Sequence, residues 1–466
     1  MSSTTRLARY VAQTPRTWPA ALRERAARAF VDTVGCMVAG AGEASTRLAY
    51  QTVAPWGEGP ASVVGRGRGL AAPWAALVNG VAAHALDYDD VLEPALSHVS
   101  AVLVPAILAD GEAHGADGGA ALDAYIVGFE VMTLLALAMN QGHYALGWHT
   151  TVTMGAPAAA AACARLRRLD EAQSRAALAM ATSLAAGSRA HMGTMTKHLH
   201  AGFAAKAGIM AAGFAAAGMT AAEEAYEGPW GFETLFGAPD ARPLATVLHT
   251  LDSPPALERH GIWVKPYPCC ASAHRPIDAA RALRDGGIAV DEIAAVRVTL
   301  PSIAHNNLMY PEPTNDAEAR FSLQHCVAVA LRHGQAGLDA FTEDAITDPD
   351  TKALRAKITA TPDAGQPAAG TAGATTDRAA VEIRLEDGRT VRESVSIPRG
   401  HPDRPLTDDE LRAKFHTCAE PALGAGATRD LLDACFGFGE LAVLTALGRP
   451  LRDGAATTKQ GSHHGH

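Results

Sequence analysis

The sequence is poor in lysine and in aromatic residues. Only seven of its 40 basic residues are Lys (197, 206, 265, 352, 357, 414 and 459), the other 33 being Arg, and aromatic side chains make up 5% of the 466 residues. The 49 acidic residues outnumber the basic ones, for a formal net charge of -9, with no Lys/Arg-rich run and no stripe of interleaved aromatic and basic residues. Nucleic-acid affinity depends on neutralising phosphates, so this composition argues against a nucleic-acid partner. The seven Cys (36, 163, 269, 270, 326, 418 and 435) are odd in number and scattered. They form neither a disulfide framework nor a paired CxxC zinc site, so a reducing cytoplasm is expected. The N-terminal MSSTTRLARYVAQT has no apolar core segment, and the longest apolar stretches are Ala-rich and interrupted. Neither a signal peptide nor a membrane span is expected.

What is present is a long helical text. A chain of this length suggests two or three domains with enough buried apolar surface to fold without disulfides or structural metal. From Trp18 to about Pro255, amphipathic or fully apolar helical segments alternate with short Gly/Pro/Asp breaks such as Gly115-Ala-Asp-Gly-Gly119. Ala loses no side-chain entropy in a helix, and small residues such as Gly202, Ala205 and Gly208 allow close helix packing, which accounts for the low aromatic content. The pattern changes after Lys265. A helix from His274 to about Asp285 precedes the alternating stretch Ile293 to Leu300, a strand candidate at Lys357 to Ala360, and a hairpin of 381–385 and 390–397 turned at Glu386-Asp-Gly388. Residues 1–263 therefore read as the first part of a large all-helical domain and 264–400 as a smaller α+β domain. Residues 401–455 read as helices returning to the helical domain, and 456–466 as a disordered tail. The Gly/Ala/Thr run from Gly365 to Thr376 reads as a mobile loop.

Five clusters place proton-handling residues in apolar or turn-rich text. In NGVAAHALDYDD (79–90), followed by His98, the spacing of His84, Asp87 and Asp90 puts the three on one face if the helix continues. That face fits a metal, but strict metal-site spacings are absent and carboxylates at a helix end also serve as caps; the expectation is no metal. In GWHTTVTMG (147–155), His149 precedes a helix N-terminus, either as a base beside a bound carboxylate or as a cap. In MTKHLHAG (195–202), Lys197 and His200 open a helix too apolar to be a surface element, where an ammonium can hold a carboxylate or an enolate-like oxygen. In KPYPCCASAH (265–274), prolines lead Lys265, Cys270 and His274 toward a helix start. Adjacent Cys residues do not share one tetrahedral metal comfortably, so Cys270 suits thiol or proton-transfer chemistry, or simply burial. Tyr310, in a loop before ARFSLQHCVAVAL (319–331), reads as a hydrogen-bond donor or a packed aromatic.

Together, in this order, these strings and EGPWGF (227–232) resemble the MmgE/PrpD family over residues 5 to 450. Its members include 2-methylcitrate dehydratase, cis-aconitate decarboxylase and iminodisuccinate epimerase. The resemblance implies a mainly α fold, with a large all-helical domain and a smaller α+β lid. It also implies a homodimer, a small-molecule carboxylate as substrate, and a cofactor-independent site in the cleft between domains. Carried over residue by residue, it maps the family site onto Asp87, His98, His149, Lys197, Lys265 and Tyr310. Of these Asp87, His98, His149, Lys197 and Tyr310 are expected to be catalytic and Lys265 to bind substrate, together with the neighbouring Cys270, His274 and His200. Cys270 stands where the decarboxylase branch has His, and Val91 where it has Thr. The expected activity, as the family's broadest description, is a lyase of the 2-methylcitrate dehydratase type. The main rival is an epimerase, since Cys270 in place of His leaves a two-base arrangement of Cys and His open, with a decarboxylase or a non-catalytic helical binding protein as further alternatives. In that scheme Lys197 and Lys265 clamp carboxylates, His149 and His98 exchange protons, Asp87 orients an imidazole and Tyr310 assists from the lid.

Overall fold

The computed structural model describes residues 1–363 and 377–453; the expected loop at Gly365 to Thr376 and the tail from 456 lie outside the described residues. The helices that matter for the site are α1 (Ala20–Gly40), α2 (Ala72–His84), α3 (Ser100–His114), α4 (Gly118–Met139), α5 (Gly155–Leu166) and α6 (Met195–Ala216). These are followed by α7 (His274–Asp285), α8 (Leu323–His333) and α9 (Asp408–Phe436). Local chemistry sets several boundaries. Asp117 accepts a 2.7 Å hydrogen bond from the Ala120 amide to cap α4, Gly115 ends α3 at φ 67°, and Thr407 with Glu410 forms a reciprocal capping box on α9.

Two large apolar cores form among the described residues. One joins residues between Leu7 and Val264 with Leu406 to Leu451, so α9, kinked at Gly424, packs back along α1. The other joins Tyr267 to Leu385 and holds the sheet. The strands β1 (Ile293–Pro301), β2 (Ile358–Asp363), β3 (Ala379–Leu385) and β4 (Thr390–Val395) lie in the order β2-β1-β3-β4. β1 and β2 pair in parallel, with Val296 opposite Ile358; β1–β3 and β3–β4 are antiparallel, with Val298 opposite Val381 and Ile383 opposite Val391. The β3–β4 turn extends through Arg389, with Gly388 at φ 88°. α4 and α6 are long and apolar enough to cross a membrane by length and composition. α4 is buried in the core, where its acids find arginines: Asp123 accepts from Arg165 Nε at 2.7 Å and Glu130 from Arg259 at 2.9 Å.

The crossing of α2 and α6 positions the site. A Cβ on Gly80 would stand 2.8 Å from the Gly202 Cα, and one on Gly202 would overlap the Leu77 carbonyl oxygen. Backbone meets backbone here, which only glycine permits. Just beyond the crossing lie His84, the last residue of α2, and Lys197, in the first turn of α6.

Candidate functional site

α2 stops at His84, so the expected continuous helical face through Asp90 does not form. The chain turns instead, with Asp87 in the left-handed region at φ 50°, a conformation that costs free energy in a non-glycine residue and marks functional sites. The turn sends the acids in different directions. Asp87 and Asp89 enter the site, whereas Asp90 turns to α3, where it accepts from the Ser100 amide at 3.1 Å and burial pushes its carboxyl up to about 7.

Asp87 is held by two buried ammonium groups. Lys197 Nζ donates to Oδ1, and Lys265 Nζ donates to Oδ2 at 2.9 Å and to the Asp87 carbonyl at 2.7 Å. Burial alone would raise this carboxyl; Lys197 and then Lys265 hold it well below the usual carboxylate range. Burial works against the charge of Lys265, but Asp87 and Asp89 outweigh it and raise its pKa. Lys265 reaches this place from an extended segment whose neighbour Trp263 exchanges backbone hydrogen bonds with Val91 at 2.9 and 3.0 Å. The two lysines expected to clamp substrate thus share Asp87.

The imidazoles are ordered by Asp89. His84 Nε2 accepts from Lys197 Nζ at 2.9 Å, which leaves its Nδ1 to donate to Asp89 Oδ2 at 2.8 Å. His98 Nδ1 lies 3.1 Å from the same oxygen, off line for a full hydrogen bond, and its Nε2 is 3.9 Å from Asp87 Oδ1. His149 and His200 share a proton between their Nδ1 atoms at 2.8 Å. Burial, then His200 and Lys197, depresses His149 well below 6.5; burial and His191 bring His200 to about 4. Burial likewise lowers His84 and His98. The imidazoles are therefore neutral at pH 7, the form of the ring that is able to take up a proton.

His84, Asp87, Asp89 and His98 offer one donor atom each within 4.8 Å of one another, a grouping that resembles a metal site. The Lys197 ammonium sits on Asp87 and His84 within that grouping, so a fixed cation already binds two of the four donors.

The remaining assigned residues divide. Tyr310 is half-buried and donates to the Met192 carbonyl at 2.8 Å, lying against Gly193, while burial and then Glu318 raise its pKa. Cys270 is half-buried at the edge of the cluster, with its thiol pushed up by burial and by Asp87. His274 is not brought to the cluster. It is fully buried between the Trp263 and Tyr267 rings, with Nε2 3.2 Å from the Cys269 carbonyl oxygen.

Several structural contributors have no site role assigned from sequence. His84 reads there only as part of a metal-binding face, and Asp89 is given no role. Arg320 donates to the carbonyls of Leu86 at 3.0 Å and Pro268 at 2.6 Å, tying both site segments together. Lys414, on α9, donates to the Tyr88 carbonyl at 2.8 Å and pairs with Asp32 of α1 at 2.6 Å. Two successive carbonyls of the strained turn are thus each held by a lysine. The cluster itself is closed: Lys265 is 0%, His149 1%, and Asp87 and Lys197 2% exposed. A cavity of about 880 Å³ lies on the other side of the turn, lined by Leu86, Arg320, Glu43 and Asp316.

Residues 5–243 match the MmgE/PrpD N-terminal domain and residues 267–437 the MmgE/PrpD C-terminal domain. The chain belongs to the MmgE/PrpD family. Among its relatives, human cis-aconitate decarboxylase is 29% identical over 426 residues, covering 88% of this chain and 86% of that protein. A cis-aconitate decarboxylase-like protein of Aspergillus oryzae is 27% identical over 431 residues, 88% of each chain. The cis-aconitate decarboxylase of Aspergillus terreus is 26% identical over 460 residues, 92% of this chain and 91% of the relative. The family supports lyase-type function.

Proposed function

We propose that the protein is a lyase that moves a proton at a carbon next to a carboxylate of a polycarboxylate substrate. The observation that carries this reading is Asp87 held between two buried lysines beside neutral imidazoles. A carbon acid next to a carboxylate is very weak, and its intermediate concentrates negative charge; positioned ammonium groups answer that charge and a neutral imidazole accepts the proton. His149 and His98 are assigned the proton transfers, Asp87 fixes the two ammonium groups, and Asp89 orients the His84 ring. His200, behind His149, relays or holds its Nδ1 proton.

The relatives favour decarboxylation of an aconitate-like tricarboxylate. A proton that His98 takes up from solvent and delivers as the transient imidazolium adds to one alkene carbon, the bond from the allylic methylene to its carboxylate breaks, carbon dioxide leaves, and the released pair becomes the new double bond. Cys270, which departs from the decarboxylase branch, favours dehydration of a hydroxylated tricarboxylate of the 2-methylcitrate kind as the second reading. The smaller unit, which carries Tyr310 and Cys270, is proposed to act as a lid, and the chain as a cytoplasmic homodimer. Incubation with cis-aconitate and with 2-methylcitrate, followed by carbon dioxide release and product analysis, separates the reactions. Carbon dioxide from the first supports the carboxy-lyase and water loss from the second the hydro-lyase. Turnover of neither compound, nor of related polycarboxylates, overturns the proposal.

A further inference from the structure

The buried charges of the cluster cancel. Asp87 and Asp89 stand against Lys197 and Lys265, burial keeps the imidazoles neutral, and Arg320 is turned to the Leu86 and Pro268 carbonyls. A polycarboxylate entering this cluster meets no surplus cation there. One lies at its edge.

Arg189 sits on a segment that runs beside His149: the His149 amide donates to the Gly187 carbonyl at 2.9 Å and the Arg189 amide to the Gly147 carbonyl at 2.8 Å. Its guanidinium stacks 3.6 Å over the Tyr144 ring and donates to the Tyr144 carbonyl at 2.9 Å and to Asn307 Oδ1 at 2.8 Å. The Tyr144 hydroxyl donates to the same Oδ1 at 3.0 Å, and Asn307 Nδ2 donates to Ser272 Oγ at 3.1 Å, two residues from Cys270. The arginine therefore faces the junction of both halves of the chain, linked through Asn307 and Ser272 to the segment that carries Cys270. Among the described residues no carboxylate lies within ion-pair distance of Arg189, and its Nε is buried without a hydrogen-bond partner. An arginine that is stacked, oriented by neutral acceptors, still holding free N–H groups and lacking an acid is prepared for a carboxylate from outside.

We infer that Arg189 is a specificity-determining residue: it binds the central carboxylate of the substrate, the group that a tricarboxylate has and the matching dicarboxylate lacks, and so makes the site prefer tricarboxylates to dicarboxylates. This rests on the proposed polycarboxylate chemistry. The alternative role, a clasp between Tyr144 and Asn307, would affect every ligand alike.

The test uses two unreactive probes, tricarballylate and glutarate, which differ by the central carboxylate, titrated calorimetrically into the full chain and into Arg189→Met and Arg189→Lys. A charge-assisted pair predicts that Arg189→Met weakens tricarballylate by about 10- to 100-fold while moving glutarate by less than about 3-fold, with partial recovery in Arg189→Lys. Equal losses for both probes, or no loss for either, overturn the inference. The same preparations are assayed for turnover of cis-aconitate and 2-methylcitrate. Wild-type turnover with an unchanged probe ratio in Arg189→Met sinks the inference and leaves the proposed function standing. Failure of the wild type to bind or turn over any carboxylate sinks both.

Discussion

Replacing Asp87 by Asn tests the ammonium clamp at its centre. Asn tolerates the left-handed conformation of this turn as well as Asp does, so backbone strain cancels in the comparison. The amide keeps one acceptor oxygen and turns an NH2 toward the second ammonium. The protein then has two options. Keeping both buried charges with their partner gone costs about 3–5 kcal/mol. Releasing one proton from a lysine of ordinary pKa 10.5 costs about 5 kcal/mol at pH 7 but only about 2 kcal/mol at pH 9, at about 1.36 kcal/mol per pH unit. The cheaper route therefore changes with pH. The expected loss of stability is about 3–5 kcal/mol at pH 7, falling to about 2 kcal/mol at pH 9. It is measured by urea unfolding of both proteins at each pH with circular dichroism. A loss below about 1 kcal/mol, or one independent of pH, would refute the clamp.

Further predictions concern the elements around that clamp. Lys414→Met removes the partner of buried Asp32 and frees the Tyr88 carbonyl, so a loss of about 3–5 kcal/mol is expected, with much of it recovered in the double variant Asp32→Leu/Lys414→Met; urea midpoints read both. Gly202→Ala forces α6 away from the Leu77 carbonyl and should cost about 1–3 kcal/mol while lowering turnover by more than that destabilisation explains, because Lys197 moves with its helix. His149 must be neutral to accept a proton, and its pKa is depressed, so activity is lost only as pH falls through the folded value. The acid limb of kcat/KM should be centred well below 6.5, and a limb at 6.5 or above counts against the assignment. The depressed His200, His274 and His325, at about 4, 3 and 4, contribute stability that is present above 6.5 and lost as pH falls toward those values, which acid unfolding measures.

Much of the fold was legible because its signals are local. The alternation of Ile293 to Leu300 reads as a strand from period alone, and His274 to Asp285 reads as a helix. The site was legible as a set of strings that the fold brings together at the α2–α6 crossing. Its internal wiring was not. The end of α2 carries no glycine or proline to announce it, so the turn that separates Asp87 from Asp90 was invisible, and with it the hydrogen bond of Asp89 to the His84 ring. Lys414 lies in a helix rich in charged residues, where a lysine reads as solvated; only the packing of α9 on α1 buries it. Arg189 follows Gly187 and Ser188 in polar text, and its stacking on Tyr144 depends on a contact 45 residues away in sequence.

The central claim is proton transfer at carbon by this cluster, and deuterium incorporation measures it most directly. Decarboxylation of cis-aconitate in deuterium oxide should place solvent deuterium at a carbon next to a carboxylate, whereas dehydration of a hydroxylated tricarboxylate deuterated at that carbon should release the label to solvent, both read by mass spectrometry and NMR. His149→Gln should slow either transfer by about 10²- to 10⁴-fold while tricarballylate still binds. Decarboxylation product without solvent deuterium, dehydration product that keeps the substrate label, or an undiminished rate in His149→Gln would contradict the account.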